Sequence, residues 1–520
     1  MPSGNRVRLH DTAAPIGAFS SKIVVANIAP RVDRRRVLRS RFLSRFECRL
    51  AGLPLLAGMM FVAMMSPASA QSLDDVLASV YLQNPHLQAE RAQLKAADEG
   101  IDQARGGWRP TVSMTINGGY SNASQTQTNA VFGPSYFNQS QNPASYGLQL
   151  TQPLYLGGKT VAATRKAKAL VAAETAHLAS VEQSVLLQAA TDYMDVVAAQ
   201  ETYDLSITHE AELQKDLHEV TVRFTGGELT RTDEAQAEAA VAQGAAYETD
   251  AASALHVASD AYERDIGTRP GHLATPAFSS YLPDGKSDAA DVAQTSNPDV
   301  LTAKYSISAA QSDIKVTRSQ LLPSITLNAS AERATDPGLQ LSRTDNETVV
   351  AQLSVPLYEA GIVYSQTREA EDTLVVKEHD ADQAVRVAEA QANAAWDQAQ
   401  AAAADVLSYQ AQANADAVAV KGMKEEARTG ERTVFDILNA EATLYQAQAG
   451  LIRASHDEMV AKFNLATAIG GFTAKALELP VAYYDPEKHL RMVEDKWIGF
   501  GNGDQPPSPR PLAEPTTRRH

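Results

Sequence analysis

The chain has one cysteine, Cys48, in 520 residues. That excludes a disulfide framework or thiolate metal site in anything beginning after it. No apolar run of about 18 residues occurs beyond the first 70, so no later helix is long and apolar enough to span a bilayer; insertion there must use strands. The 11 histidines are scattered without metal-ligand spacing, and there is neither a nucleophile elbow nor a phosphate-binding glycine loop. No catalytic residue, cofactor or metal site is therefore expected. Acidic residues outnumber basic ones, 62 to 46, which argues against nucleic acid as a partner.

Residues 1–70 read as a secretory signal. Arg31, Arg34, Arg35, Arg36, Arg39, Arg41, Arg45 and Arg49 make a basic region, Leu50 to Met65 a short apolar one, and Ala68-Ser69-Ala70 a cleavage site before Gln71. The basic region is long, and a translation start downstream of Met1 is expected. The alternative, a retained membrane anchor, needs a longer apolar run. This segment holds 11 Lys and Arg against 3 Asp and Glu, so its removal takes the net charge from −16 to −24. Cys48 leaves with it, and its setting before the apolar run is not that of a lipidated first residue.

One pattern then occurs twice. Asn84-Pro85 breaks a helix that resumes to about Gly106 and ends before Pro110; Asn297-Pro298 and Pro323 repeat this at an offset of 213. Alternating strands follow, Thr111 to Asn117 and Tyr146 to Leu150 in the first copy, Ser324 to Ser330 and Val349 to Val355 in the second. They exit through Pro153-Leu154-Tyr155-Leu156-Gly157-Gly158 and Pro356-Leu357-Tyr358-Glu359-Ala360-Gly361, where the offset has fallen to 203. The ten-residue change lies in the hairpin loops, as an internal repeat with fixed elements and variable loops requires. The repeats are placed at 71–284 and 285–479, with a C-terminal segment at 480–520 whose Pro-rich end from Gly501 is expected to be disordered.

The strands alternate Val112, Met114 and Ile116 with Ser, Thr and Asn, and Ile325, Leu327 and Ala329 likewise. A half-buried soluble sheet has the same period, but a polar face with almost no charge suits a water-lined lumen. Four strands are too few to close a membrane barrel, which needs about eight, so copies must share one; three would give twelve strands. Tyr120, Tyr136, Phe137, Tyr146 and Tyr155 either form an interfacial girdle or pack within loops.

About 65 helical residues without proline follow each hairpin, Lys159 to Phe224 and Ile362 to Arg428, each some ~100 Å long. Leu186, Ala189, Tyr193, Val196, Gln200, Tyr203 and Ile207 keep heptad steps, and alanine-rich stretches such as Ala401 to Ala404 let a helix pack on two neighbours. Each long helix stops at a glycine turn, at Gly226-Gly227 and at Gly430, with Asp233 and Asp436 six residues after Gly227 and Gly430 and Glu238 and Glu441 five further on. Returning helices run to Gly267 and Gly470, which makes two helical hairpins pointing away from the strands.

The paired Asn-Pro breaks, Pro-Leu-Tyr-x-x-Gly exits and Gly-x-x-Thr-x-x-Asp turns, in duplicated order over residues 71–500, resemble the TolC family of Gram-negative outer-membrane efflux and secretion channels. The resemblance implies a mainly α, internally duplicated chain with a β-hairpin membrane part. It implies a homotrimer whose 12-stranded outer-membrane β-barrel, four strands per chain, continues into a periplasmic α-helical barrel. It also implies a periplasmic adaptor (membrane fusion) protein, an inner-membrane ABC or RND-type transporter and outer-membrane lipid as partners, with Pro480 to Pro486 and Lys496 to Gly499 as an equatorial segment. Carried over by position, Thr232 and Asp233 face Arg432 in a gate-holding network, and Asp436 is an acidic ring at the entrance. The second ring falls at Asn439 and the gate tyrosine at Ala427, both departures. Asp233 and Asp436 equally suit helix N-capping; Gly227 and Gly430 read as turn glycines. A periplasmic coiled-coil adaptor, the rival reading, needs a β-barrel or lipoyl-like domain between its helices that the two hairpins do not supply, and the glycine turns disfavour a filament.

Overall fold

The computed structural model describes residues 71–129, 131–276, 282–338, 341–494 and 496–500. The expected signal segment, the Pro-rich tail and the Phe137 side chain lie outside the described residues.

The first repeat runs α1 (Leu73–Gln83), α2 (Pro85–Arg105), β1 (Thr111–Gly118), β2 (Ser121–Asn129), β3 (Gly133–Gln141), β4 (Ala144–Leu156), α3 (Lys159–Thr225) and α4 (Arg231–Ile266). The second runs α5 (Lys286–Ser296), α6 (Pro298–Arg318), β5 (Ser324–Gly338), β6 (Leu341–Ser354), α7 (Ile362–Arg428) and α8 (Val434–Ala468), and α9 (Glu487–Val493) follows. Both long helices have 67 residues and so span about 100 Å.

The Asn-Pro pairs have a physical reason. Asn84 is the N-cap of α2, its side-chain oxygen accepting from the His86 and Leu87 amides at 2.9 and 3.2 Å, while Pro85 takes the first helical position. Its amide nitrogen points the other way, 3.5 Å from the Asp265 carbonyl in the last turn of α4. Asn297 does the same between α6 and α8, accepting from Asp299 N at 2.9 Å and donating to Ala468 O at 3.1 Å. Each asparagine thus splices a short helix end-on to a returning one, α2 over α4 and α6 over α8.

These spliced helices alternate with the continuous ones. Towards the strands α3 packs between α2 and α6, and α6 packs on α7; towards the tips α3 packs between α4 and α8, and α8 packs on α7. These helices form one layer, with α2/α4 at one edge and α7 at the other, and the short helices α1 and α5 pack against it, α1 on α3 and α5 on α7. The four-stranded antiparallel sheet has the order β1-β4-β5-β6, the order of the helices to which those strands connect. Edge position explains an asymmetry between the two long helices: 21 residues of α3 are buried against 10 of α7, and Leu407 and Val418 of α7 lie exposed.

The heptad reading holds from Leu186 to Val196, all buried, and then fails. Ile207 is exposed, and the buried face moves to Ser206, His209, Leu213 and Val220. The steps remain three and four, but the phase shifts where the neighbours of α3 change from α2 and α6 to α4 and α8.

Register gathers apolar side chains on one face of the sheet, with Glu347 joining Met114, Leu148 and Ala331 on that face nearer its outer end. Val112, Leu150, Ala329 and Val349 form one cross-strand row, and Ser113, Gln149, Ser330 and Thr348 the next, facing the other way. Val112 and Ile116 are 68% and 70% exposed. A soluble half-buried sheet covers its apolar face; this one leaves it bare. The outer end of that face is polar, where Arg333 reaches Asp345 at 2.5 Å and the Tyr146 hydroxyl at 3.2 Å. Tyr155 ends the band at the helix side, nine residues on, which at ~3.3 Å per residue and a tilt of ~40° is a height of roughly 23 Å, the size of a barrel's apolar girdle. Tyr146 and Tyr155 bracket the band, whereas Tyr136 stands on a separate ribbon and Tyr120 just before it. That ribbon, β2 paired with β3, occupies the longer connection of the first copy, read from sequence as a polar loop.

Candidate functional site: the two helical tips

The ends of α3 and α7 are built identically. Gly227 has φ +82° and Gly430 +85°, a left-handed conformation that costs glycine least. Glu228 N donates to Arg223 O at 3.0 Å and Gly227 N to Phe224 O at 2.9 Å; Glu431 N donates to Glu426 O at 3.1 Å and Gly430 N to Ala427 O at 3.2 Å. Both are Schellman closures of the last carbonyls. Three residues on, Thr230 and Thr433 cap the returning helices, each hydroxyl accepting from the Asp233 or Asp436 amide at 3.3 Å. The carboxylates answer, Asp233 accepting from Thr230 N at 2.9 Å and Asp436 from Thr433 N at 3.0 Å. The Gly-x-x-Thr-x-x-Asp spacing is therefore a Schellman glycine followed by a capping box. Threonine is the cap, and aspartate reciprocates from the third helical position.

These bonds hold both carboxyls below the usual aspartate range. For Asp233 the Thr230 hydroxyl leads and the Thr230 amide follows; for Asp436 the Thr433 amide leads and its hydroxyl follows. Thr232 is exposed at the start of α4, and Arg432 donates to Glu426 at 2.8 Å. Among the described residues no hydrogen bond within one chain joins Arg432 to Thr232 or Asp233. Ala427 is buried and Asn439 exposed.

Above the tips a small core of Val220, Ala237 and Val434 gives way to a charged cluster. Lys424 Nζ of α7 lies 3.2 Å from Asp216 Oδ2 of α3 and pairs with Glu441 of α8. Glu441 is 3% exposed, and burial, with the Asp216 carboxylate beside it, pushes its carboxyl up to about 7 against the pull of Lys424. Burial works against the Lys424 ammonium, but Glu441 and Asp216 outweigh it and the net direction is up. Further from the tips His209 stacks on Tyr445 at 4.5 Å and Tyr445 on Tyr247 at 5.0 Å, which bridges α3, α8 and α4.

Glu441 stood out in sequence only through its repeat partner Glu238. The structure separates the two, Glu238 being exposed and Glu441 buried. Asp216 and Lys424 carry no local signal, since the cluster joins residues 208 positions apart. Among the described residues no group of His, Cys, Asp and Glu could hold a metal, and no helix is long and apolar enough to cross a membrane.

The arrangement orders and holds helix ends; it offers no reacting group. The family model described as "Outer membrane efflux protein" matches residues 76–267 and 289–471, that is, both repeats. The outer membrane efflux protein BepC of Brucella suis is 31% identical over 84% of this chain and 93% of its own length. The outer membrane protein TolC of Escherichia coli is 24% identical over 90% and 97%. The crystal structure of the Campylobacter jejuni CmeC outer membrane channel superposes with a TM-score of 0.68 at 16% identity, covering 81% of this chain and 89% of that one. Channel proteins of the outer membrane with a large periplasmic part, not enzymes, are what these relatives have in common, and the chain belongs to the outer membrane efflux protein family, the family of TolC.

Proposed function

We propose that three copies of this chain form an outer-membrane exit duct, closed at its periplasmic end by the helical tips and used for the efflux of small toxic molecules. The observation that carries it is the pair of matched open edges. β1 and β6 are the unpaired edges of the sheet, and lipid does not tolerate open edges. Helices α2/α4 and α7 are the edges of the wall on the same two sides. Joining one copy's β6 and α7 to the next copy's β1 and α2/α4 closes both layers at once in a head-to-tail ring, and twelve strands make a barrel wide enough to conduct.

The same ring gives the gate residues their partners. Arg432 follows the α7 edge and Thr232 and Asp233 open the α4 edge, so the contact missing within a chain falls between neighbours. Arg432 and Asp233 then hold the entrance, Asp436 lines it, and Gly227 and Gly430 set the turns. Phe435 is 52% exposed beside Val434 at the tip, an apolar foothold for a periplasmic adaptor protein. An inner-membrane transporter of ABC or RND type supplies the energy, since the duct has no chemistry of its own.

The name of the 31% identical relative, an efflux protein, supports small-molecule cargo. The test is a clean deletion strain compared with its parent. Broad hypersensitivity to dyes, detergents and antibiotics with an intact set of secreted proteins is expected. Loss of one or a few large secreted proteins with unchanged sensitivity would replace efflux with type I secretion.

A further inference from the structure

After α8 the chain crosses the wall. Ala474 N donates to Glu182 of α3 at 2.8 Å, and Tyr484 N donates to the Tyr81 hydroxyl of α1 at 2.8 Å. It then climbs α2 towards the strands in successive steps. Arg91 lies between the Tyr81 and Tyr484 rings, at 4.4 and 5.2 Å. Asp98 holds His489 of α9 at 3.0 Å, with both side chains buried. Arg105 donates to Glu494 O at 3.0 Å, and Arg109 to Lys496 O at 3.0 Å. From residue 91 to residue 105 this is a rise of about 21 Å at 1.5 Å per residue. The Arg109 guanidinium lies 5.2 Å from the Trp497 ring, and Arg109 stands two residues before β1.

The climb delivers apolar side chains to the base of the barrel and leaves them uncovered. Trp497 is exposed, Ile498 is 93% exposed and Phe500 is fully so. Trp108 and Leu322, at the entry to β1 and β5, are exposed as well. A segment that crosses α3 and α2 on one face of this helical layer must lie on the outer face if the duct is to stay open. Residues 501–520 hold one Leu, no Phe, Trp or Tyr and five Pro, a composition with little apolar surface to offer it.

We propose that Lys496–Phe500 is a membrane-interface anchor, with Trp497, Ile498 and Phe500 seated among the phospholipid headgroups of the inner leaflet of the outer membrane. It rests on the duct reading above. The chemistry fits: an indole with an apolar body and one polar edge prefers the headgroup layer, Lys496 meets phosphate, and Arg109, which lies against Trp497, stands three residues before Val112 of the sheet's apolar row.

The chain has three tryptophans, Trp108, Trp396 and Trp497, which makes fluorescence the readout. The full-length protein is reconstituted in phosphatidylethanolamine–phosphatidylglycerol vesicles with and without brominated acyl chains, as wild type, Trp497→Phe, and the double variant Ile498→Asn/Phe500→Asn. The inference expects brominated lipid to quench the wild type more than Trp497→Phe, and the Trp497 share of that quenching to be lost in the double variant. Equal quenching of wild type and Trp497→Phe overturns it. In that case aqueous iodide quenching of Trp497 would place the segment in water, and protection from both quenchers would place it against a second copy of the chain. Ion conductance of the same vesicles separates the claims. Protein that conducts, as wild type or as Arg432→Ser, without lipid quenching of Trp497 overturns the anchor alone, whereas protein that conducts in neither form overturns the duct on which it rests.

Discussion

Lys424 Nζ of α7 lies 3.2 Å from Asp216 Oδ2 of α3, and the same ammonium pairs with Glu441 of α8. One cation thereby ties the edge helix of the second repeat to the central helix of the first, just above the tips. Glu219 and Arg223 of α3 and Arg428 of α7 line the cavity beside it.

The Glu441 carboxyl, raised to about 7, makes this junction sensitive to pH. A folded-state value above the unfolded one means that the contribution to stability is complete below the ordinary glutamate range and is lost as pH rises through about 7. Hydrogen exchange at the tip ends of α3 and α8, corrected for intrinsic rates, should speed up between pH 6 and pH 8. Glu441→Gln should flatten that dependence; an unchanged profile would remove Glu441 as its cause. Lys424→Met leaves two carboxylates facing one another, a loss of about 1–3 kcal/mol at pH 8 and less at pH 6, where Glu441 takes up a proton.

Because the two tips are built alike, they should fail alike. Thr230→Ala and Thr433→Ala each remove a cap and should cost about 1 kcal/mol of local stability, read as faster exchange in the first turns of α4 and α8. The reciprocal carboxylates, Asp233 and Asp436, are held low, so their contribution is present above the ordinary aspartate range and lost as pH falls below it. A large effect at one tip and none at the other would contradict the equivalence of the two capping boxes.

The two faces of β4 should respond oppositely to charge. Leu148 pairs with Met114 and Ala331 on the apolar face, and Gln149 with Ser113 and Ser330 on the polar one. Leu148→Arg, two residues inside the Tyr146 end of the band, should cost about 1–2 kcal/mol of membrane insertion, less than at the midplane, and lower the amount of protein in the outer membrane. Gln149→Arg should leave that amount unchanged. Equal effects would mean that the faces are wrongly assigned.

Asp98 and His489 fasten α9 to α2. Burial raises the Asp98 carboxyl, partly offset by His489. Asp98→Ala strands a buried imidazole, and the expected result is faster tryptic cleavage at Lys488 and Arg491 with the cleavage of α3 unaltered.

Elements repeated in sequence were legible, because local chemistry fixes them. The Asn-Pro breaks, the exit glycines and the Gly-x-x-Thr-x-x-Asp turns each satisfy backbone groups within a few residues, and both long helices start and stop where these signals lie. The turn motif also named Asp233 and Asp436, though not that Thr230 and Thr433 are the caps. What sequence could not reveal is whatever joins distant residues. Lys424 finds Asp216 across 208 positions, the Asn84 and Asn297 amides reach helices that end far along the chain, and the shift of the α3 seam beyond Val196 follows from a change of neighbours. The β2–β3 ribbon escaped notice because its Ser, Thr, Asn and Gln run offers no apolar alternation.

The central claim is that this chain closes on copies of itself into a gated duct, and conductance of the purified protein in a planar lipid bilayer tests it most directly. The account predicts discrete, cation-preferring steps, small in the wild type and larger when Arg432→Ser removes the hold between neighbouring tips. Folded, inserted protein that carries no current in either form would contradict it.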